Sequence, residues 1–311
     1  DVAIIGAGAA GLSAAIFAGE TAAGTRRIVL FEGARRPGAK ILVSGGGRCN
    51  VTNASVSERD YWGGPAPIIR SVLRAFDQRR TLEWMRSLGV ELKLEPTGKY
   101  FPVSDSARTV LDALLRRVDA VGVELRSGVR VESVNRDGEG FLIALRNGER
   151  LRARRLILAM GGRSLPKSGS DGAGIEMARC LGHTVVPTVP ALVPLVLAPD
   201  QPWPPAARLT ELSGMTLTAR LELREGTDGR RLFALTDSFV FTHFGLSGPA
   251  PMNLSRHLLR ARHDRPGEPF TVALGHPDLP DLQAADAWLR DQTTAGPHRT
   301  AAQAVTALYP E

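Results

Sequence analysis

Three glycines near the amino terminus have the spacing that suits the binding of a phosphate-bearing nucleotide. Gly6, Gly8 and Gly11 follow the apolar run at 2–5 and precede an apolar stretch typical of a helix. In such a turn the first glycine permits the tight bend, the second lets a pyrophosphate approach the backbone, and the third lets helix and strand pack closely. Glu32 ends a second apolar run and can accept hydrogen bonds from ribose hydroxyls. The spacing predicts a dinucleotide site, with NAD, NADP and FAD all still open.

The elements that must position these glycines are a strand at 2–5 and a helix at 9–18. At the start of that helix, the backbone N–H groups of Ala9 and Ala10 and the positive end of the helix dipole favour an anion. A later strand, 155–159, runs into a second glycine turn at 160–162. Two such turns suit one dinucleotide held across a parallel sheet, which predicts an α/β, Rossmann-like domain.

Composition places the chain among globular enzymes. It has 311 residues, of which 43% are hydrophobic and 23% charged, enough for about two domains. The uncharged stretch at 2–19 follows Asp1 rather than a basic segment and is interrupted by glycines, which excludes a signal peptide or membrane span. Cys49 and Cys180 lack the spacing of a zinc or redox pair, so a cytoplasmic location is expected. Cys180 is predicted to be a small buried residue of a helix, and Cys49 a packed neighbour of its loop.

The charge pattern does not predict a nucleic-acid partner. The net charge is +7 and the isoelectric point is near 10.1, but 35 of the 39 basic residues are arginines spread along the whole chain. Aromatic residues make up only 5%, too few for a platform on which bases stack. The arginine content is therefore interpreted as a compositional bias.

Further elements follow from periodicity and turn residues. Helices are predicted at 67–89 and 107–122. Within 123–159 strands are predicted at 129–134, 141–145 and 155–159, with turn signals at Asp137-Gly138 and Asn147-Gly148 between them, which indicates a β-meander. A run of prolines from Pro187 to Pro205 indicates a domain boundary near 187. Beyond it, 217–223 and 232–241 are predicted as strands and 282–308 as mainly helical.

Several sequence blocks together resemble one family. They are 38–40 (Gly-Ala-Lys), 44–53 (Ser-Gly-Gly-Gly-Arg-Cys-Asn-Val-Thr-Asn), 101–105 (Phe-Pro-Val-Ser-Asp), 159–162 (Ala-Met-Gly-Gly), 166–169 (Pro-Lys-Ser-Gly), 190–194 (Pro-Ala-Leu-Val-Pro) and 241–249 (Phe-Thr-His-Phe-Gly-Leu-Ser-Gly-Pro). Across nearly its full length the chain is similar to the bacterial FAD-dependent oxidoreductases of the BaiN/RdsA, or aminoacetone-oxidase-like, type. Met160 and Leu165 depart from the threonine and tyrosine common in that family.

The resemblance implies a domain organisation. Residues 1–187 would form the FAD-binding, Rossmann-like domain with its central parallel sheet and β-meander. Residues 188–275 would form an inserted, β-barrel-like substrate domain, and 276–311 the start of its helical part. The family's closing carboxy-terminal FAD segment is absent from this sequence.

The resemblance also implies site residues. The residues expected to hold FAD are Gly6, Gly8, Ala9, Ala10, Gly11, Glu32, Lys40, Ser44, Gly45, Gly46, Gly47, Arg48, Asn50, Val131, Ala159, Gly161 and Gly162. Those expected near the substrate are Tyr100, Phe101, Thr242 and His243. His243 is the candidate for proton transfer, although a histidine that only holds its turn is an equal alternative. Arg48 is expected to reach the pyrophosphate, against the alternative of a solvated arginine.

These features predict an FAD-dependent oxidoreductase that transfers hydride between the flavin and a small organic substrate or NAD(P)H. Two alternatives stay open: a flavin-dependent tRNA-modifying protein, and a non-catalytic flavin-binding protein. Neither a membrane nor a metal ion is expected as a partner. The sequence indicates neither the substrate nor the oligomeric state.

Overall fold

The computed structural model describes residues 1–198, 211–227, 229–279 and 282–295. The chain divides into two compact units, residues 1–186 and 187–311. Each unit is described by itself.

The first unit contains ten strands and six helices among its described residues. The strands are β1 (Val2–Ile5), β2 (Ile28–Glu32), β3 (Thr52–Asn53), β4 (Leu92–Leu94), β5 (Lys99–Pro102), β6 (Glu124–Ser127), β7 (Val131–Asp137), β8 (Gly140–Leu145), β9 (Arg150–Ala153) and β10 (Arg155–Leu158). The helices are α1 (Ala9–Ala22), α2 (Ala39–Val43), α3 (Ala66–Ala75), α4 (Gln78–Ser87), α5 (Ala107–Ala120) and α6 (Ala173–Cys180). Three short 3₁₀ turns lie at Ser44–Gly47, Glu58–Asp60 and Pro166–Ser168.

A four-stranded parallel sheet organises this unit, in the order β10-β1-β2-β6. Val2 is in register with Arg155 of β10 on one side and with Ile28 of β2 on the other. The strands β7, β8 and β9 form the antiparallel meander, and β3, β5 and β4 form a third small sheet. The predicted α/β, Rossmann-like fold with a parallel sheet and a meander is confirmed.

Apolar side chains cover both faces of the parallel sheet because successive residues of a strand point to opposite faces. Ile4 packs with α1 and α5 in one core, where Leu12 and Leu114 are also buried. Ala3 and Ile5 face the other core, which includes Ile143 of the meander. Each such fully buried Leu or Ile side chain contributes roughly 1.5–3 kcal/mol. The sheet is therefore rigid at the strand ends from which the glycine turns leave.

The second unit contains a five-stranded antiparallel sheet that packs against a helix. Its elements are β11 (Leu195–Val196), β12 (Thr216–Glu225), β13 (Arg231–Thr242), β14 (Gly245–Ser247), α7 (Pro249–Asp264), β15 (Phe270–Gly275) and α8 (Leu282–Ala295). The sheet order is β11-β14-β13-β12-β15. Leu221 and Leu223 on its inner face are buried together with Leu254 of α7. Among the described residues of the chain, no helix is both long and apolar enough to cross a membrane.

Three sequence expectations differ from the structure, and a fourth is tested only in part. The helix predicted at 67–89 is two helices, because the Asp77 carboxylate accepts a hydrogen bond from the Arg80 N–H, at 2.8 Å, and so starts α4 as a new helix. Cys180 is exposed rather than buried, because it ends α6 on the solvent side. The strand β9 was not predicted, although its residues alternate between polar and apolar, because it is only four residues long. Of the helix expected at 282–308, α8 covers Leu282–Ala295 and the remainder lies outside the described residues.

Candidate functional site

The turn between β1 and α1 can be built only with glycine at two of its positions. Gly6 has φ +101°, and a Cβ atom added there would lie 2.7 Å from the carbonyl oxygen of Ala159. A Cβ atom added at Gly11 would lie 1.7 Å from the carbonyl oxygen of Gly6. The Gly6 N–H donates to the Phe31 carbonyl at 2.8 Å. Gly6 and Gly11 are therefore needed for the close packing of the backbone at the ends of β1, β2 and β10 and the start of α1. Gly11 does not line the cleft beside this turn.

Gly8 differs from these two because the space in front of it is open. It is the N-cap residue of α1, and a Cβ atom added there would meet no atom within 4 Å. No side chain caps this helix start among the described residues. The first-turn N–H groups at Ala9 and Ala10, together with the helix dipole, therefore face a space that suits an anion.

Glu32 at the end of β2 connects this turn to the next loop. Its Oε2 atom accepts a hydrogen bond from the Ala7 N–H at 2.8 Å, and its Oε1 atom accepts one from the Ala34 N–H at 2.9 Å. A carboxylate can accept about four hydrogen bonds, so both oxygens keep the capacity to accept from ribose hydroxyls. Glu32 thus has a structural role in addition to the binding role expected from the sequence.

A cleft of about 790 Å³ runs along these elements. This volume is within the range of roughly 300–1,000 Å³ typical of small-molecule and cofactor sites. The predicted residues that line it are Gly6, Gly8, Ala9, Ala10, Glu32, Lys40, Ser44, Val131, Ala159 and Gly161. Residues distant in sequence are therefore brought together around one cleft, which includes the open space at Gly8. The partly apolar cleft and its open helix N-terminus fit a dinucleotide such as FAD.

The second glycine turn also lines the cleft, through Ala159, Met160 and Gly161. The Ala159 N–H donates to the Ile5 carbonyl at 2.8 Å, which continues the pairing of β1 and β10. Gly161 has φ +77°, and a Cβ atom added there would lie 2.8 Å from the Ser170 hydroxyl oxygen. Lys40 bridges the cleft entrance through a hydrogen bond from its ammonium to the Ser164 hydroxyl. The two glycine turns therefore face one site, as the strand-end argument predicts.

The cleft carries several cationic side chains that the sequence reasoning missed. Arg36, Arg130 and Lys167 line it together with Lys40, opposite the single carboxylate of Glu32. The Arg130 Nη2 atom donates to the Asp171 carboxylate at 2.5 Å, and this hydrogen bond lowers the pKa of Asp171. The cationic excess suits a ligand with negatively charged phosphates.

The triple-glycine segment forms a tight turn beside the cleft, in which all three glycines have positive φ, and only its ends reach the lining. Ser44 and Cys49 line the cleft, whereas Gly45, Gly46 and Gly47 do not. Burial raises the pKa of the Cys49 thiol, and a hydrogen bond with Ser44 offsets that only in part. A neutral, packed thiol is therefore expected, in line with the sequence prediction for Cys49.

Arg48 is engaged by groups that cannot be read from its local sequence. Its Nη1 atom lies 2.6 Å from the Glu95 carboxylate, and its guanidinium lies 4.0 Å from the centroid of the Phe101 ring. Phe101 is buried beneath it, and Tyr100 is half-buried in β5. Neither aromatic residue lines the cleft, nor do Asn50 and Gly162. Their contacts with a cofactor or substrate stay predictions.

Thr242 and His243 belong to the second unit. The Thr242 hydroxyl donates to the Gly245 carbonyl at 2.8 Å and accepts from the Gly245 N–H at 3.0 Å, which closes the turn between β13 and β14. His243 is exposed at the tip of this turn and packs edge-on against Phe244 at 5.0 Å. His243 is available for proton transfer, but that role stays a prediction.

Some of the missed lining residues had a signal in the sequence. Gly38 has φ +73°, and a Cβ atom added there would lie 2.3 Å from Leu111 Cδ1, so this glycine of the block 38–40 is structurally required. The block 166–169 lines the cleft throughout. Arg36 and Arg130 had no comparable signal, since they are two of many arginines.

The comparisons with known proteins agree with this geometry. The family described as HI0933-like protein Rossmann domain matches residues 1–302. The chain is 34% identical to a 3-dehydro-bile acid Δ4,6-reductase of Clostridium scindens, over 100% of this chain and 72% of the relative. It is 33% identical to a ribosomal RNA dihydrouridine synthase of Escherichia coli, over 96% of this chain and 68% of the relative. A ribosomal RNA dihydrouridine synthase of Haemophilus influenzae is 29% identical, over 82% of this chain and 60% of the relative.

The match to the family covers both glycine turns, the cleft and the greater part of the second unit. The predicted resemblance is confirmed, and so is the prediction of an enzyme. The chain belongs to the HI0933-like protein Rossmann domain family, a family of flavin-dependent oxidoreductases.

Proposed function

We propose that this chain binds FAD in the cleft of its first unit and that hydride passes between the flavin and a small organic substrate or NAD(P)H. The observation that carries the proposal is the open space at Gly8, in front of an uncapped helix start, in a cleft that both glycine turns line. FAD, when bound, supplies hydride transfer at N5 of its flavin ring.

The residues of this chain have separate roles in the proposal. The N–H groups of Ala9 and Ala10 bind the pyrophosphate, and the Glu32 carboxylate accepts hydrogen bonds from the adenosine ribose. The Val131 backbone contacts the adenine. Lys40 and the other cationic side chains of the cleft balance the phosphate charge, which a partly desolvated site would otherwise leave uncompensated.

The names of two of these relatives suggest a more specific reaction class. A Δ4,6-reductase and a dihydrouridine synthase both add two hydrogens across a carbon–carbon double bond. Such an addition needs a hydride for one carbon and a proton for the other. We propose that this chain acts on a carbon–carbon double bond conjugated to a carbonyl group, that His243 supplies the proton, and that residues 188–275 form the substrate domain.

A second candidate substrate class is RNA, because one relative of similar identity is named for a ribosomal RNA substrate. The two candidates predict different products: a reduced small enone, or dihydrouridine within an RNA chain. Comparing the two substrates under identical conditions separates them.

The test is an anaerobic titration of the purified FAD-bound chain with NADH and then with NADPH. Loss of the absorbance of oxidised flavin, followed by its return on addition of an unsaturated ketone or a uridine-containing RNA, is the expected result. A chain that takes up no FAD contradicts the whole proposal. If the chain binds FAD but neither substrate reoxidises the reduced flavin, only the proposed reaction class is contradicted.

A further inference from the structure

The outer face of the sheet in the second unit carries three arginines around one carboxylate. Arg220, Glu222 and Arg224 alternate along β12 and therefore share one face of the sheet. Arg231 of β13, which pairs with Arg224, joins them. We name these four residues the arginine face. None of them takes part in the cleft of the first unit.

Glu222 fixes the three guanidinium groups by direct hydrogen bonds. Its Oε1 atom accepts from Arg220 Nε at 2.9 Å and from Arg231 Nη1 at 3.2 Å. Its Oε2 atom accepts from Arg224 Nη2 at 2.6 Å. Among the described residues, Glu222 is the only carboxylate with three arginine partners, and its side chain is only 8% exposed beneath them.

The arrangement leaves two net positive charges on a small area of the surface. Each guanidinium has five N–H donors, and the carboxylate has too few acceptor sites to use them all. The three arginine side chains keep between 24% and 52% of their surface exposed. They are therefore held in place and can still donate to an anion.

The neighbouring positions are small and uncharged. By register, Ala234 of β13 and Ala273 of β15 flank Glu222, while Thr236 and Gly275 flank Arg220. These positions add no carboxylate that would repel an anion, no long side chain that would keep one at a distance, and no aromatic ring on which a base would stack. The face suits an extended polyanion bound through its phosphates.

We propose that the arginine face binds the sugar–phosphate backbone of a nucleic acid, independently of its base sequence. Two of the arginines lie four residues apart on one strand, so their Cα atoms are about 13 Å apart and can contact successive parts of one chain. The proposal needs neither the flavin nor the cleft. The composition alone did not predict a nucleic-acid partner, because the arginines are dispersed in the sequence. The strand register brings three of them together on one face.

The test measures the binding of a fluorescently labelled single-stranded RNA of about twenty nucleotides to the full chain between roughly 50 and 200 mM salt. For single strands the slope of log K against log salt is about −0.7 for each phosphate neutralised. The double variant Arg220→Gln/Arg224→Gln is therefore expected to have a slope smaller in magnitude by about 1.4.

The matched control is Arg26→Gln/Arg152→Gln, which removes the same charge from two exposed arginines of the first unit. It is expected to keep the wild-type slope. The variant Arg220→Lys/Arg224→Lys keeps the charge and is expected to recover most of the slope even if the glutamine variant is less stable. Thermal unfolding of each variant establishes that it is folded.

Three outcomes overturn the proposal. The first is no salt-dependent RNA binding by the wild-type chain. The second is an equal loss of slope in the control and in the arginine-face variant. The third is binding to phosphatidylserine vesicles but not to RNA, which would assign the face to an anionic membrane surface.

Discussion

Replacement of Gly8 by alanine separates cofactor binding from folding. Gly8 has φ −82° and ψ −169°, which alanine adopts without strain, and the added Cβ atom would meet no protein atom within 4 Å. The free energy of unfolding is therefore expected to change by no more than about 1 kcal/mol, because reduced freedom of the unfolded chain offsets small losses.

The same methyl group would occupy the space in which the pyrophosphate is expected. Displacing the phosphate from the helix start removes at least one charge-assisted hydrogen bond, which contributes about 1.5–3 kcal/mol. Since 1.4 kcal/mol corresponds to a factor of ten, the dissociation constant for FAD should rise roughly 10- to 150-fold. The assay is titration of the flavin-free chain with FAD, followed by the quenching of flavin fluorescence.

Two further variants make the result decisive. Gly6→Ala combines φ +101° with a contact of 2.7 Å to Ala159 and should destabilise the fold by roughly 2–5 kcal/mol. Gly64→Ala, whose added Cβ meets only ordinary contacts with Ile69, should change neither stability nor FAD affinity. If Gly8→Ala binds FAD as tightly as the wild type, the pyrophosphate does not lie at this helix start and the reasoning is refuted.

Three other predictions follow from the environments of single residues. The Glu32 carboxylate accepts hydrogen bonds from two backbone N–H groups, so Glu32→Gln should lower the free energy of unfolding by about 1.5–3 kcal/mol. Urea unfolding measures this change, and an unchanged value would mean that these hydrogen bonds do not form. Exposed Cys180 should react with iodoacetamide well before buried Cys49, because burial raises the pKa of the Cys49 thiol and so shifts its reaction to higher pH. Mass spectrometry follows the two reactions, and equal rates would contradict the structure. Burial raises the pKa of Glu222, but hydrogen bonds from its arginines outweigh burial and leave the pKa below the usual value of about 4.3. Glu222→Gln should therefore lower the free energy of unfolding at pH 7 by about 2–4 kcal/mol. The difference from wild type should shrink as the pH falls through the lowered folded pKa, and a constant difference would argue against the ionised carboxylate.

The sequence predicts the glycine turn well because each requirement there is local. Gly6 needs a positive φ, and Gly11 needs the absence of a Cβ atom, and both follow from a strand, a tight turn and a helix within a dozen residues. Glu32 is predictable for the same reason, since it ends the next strand along the chain. Local spacing therefore predicts the phosphate end of the cleft.

The partners of charged side chains could not be predicted in this way. Arg48 is held by Glu95, which is 47 residues away in sequence and reaches it only through the small sheet of β3, β4 and β5. Arg130 enters the cleft because it precedes β7, and it pairs with Asp171, 41 residues later. In a chain with 35 arginines, only the tertiary structure distinguishes an arginine that binds a ligand from one that holds a loop.

Sheet topology explains why the two glycine turns meet at one site. The chain leaves β1 through α1 to pair with β2 on one side, whereas the neighbour on the other side, β10, comes more than a hundred residues later. The carboxyl ends of β1 and β10 therefore diverge into separate loops, and a crevice opens between them. Gly6 and Gly161 both line the cleft, and a Cβ atom added to them would contact the Ala159 carbonyl and the Ser170 hydroxyl, respectively. The strand order thus explains why the two turns reach one site, whereas the need for glycine comes from the positive φ and the close contact at each position.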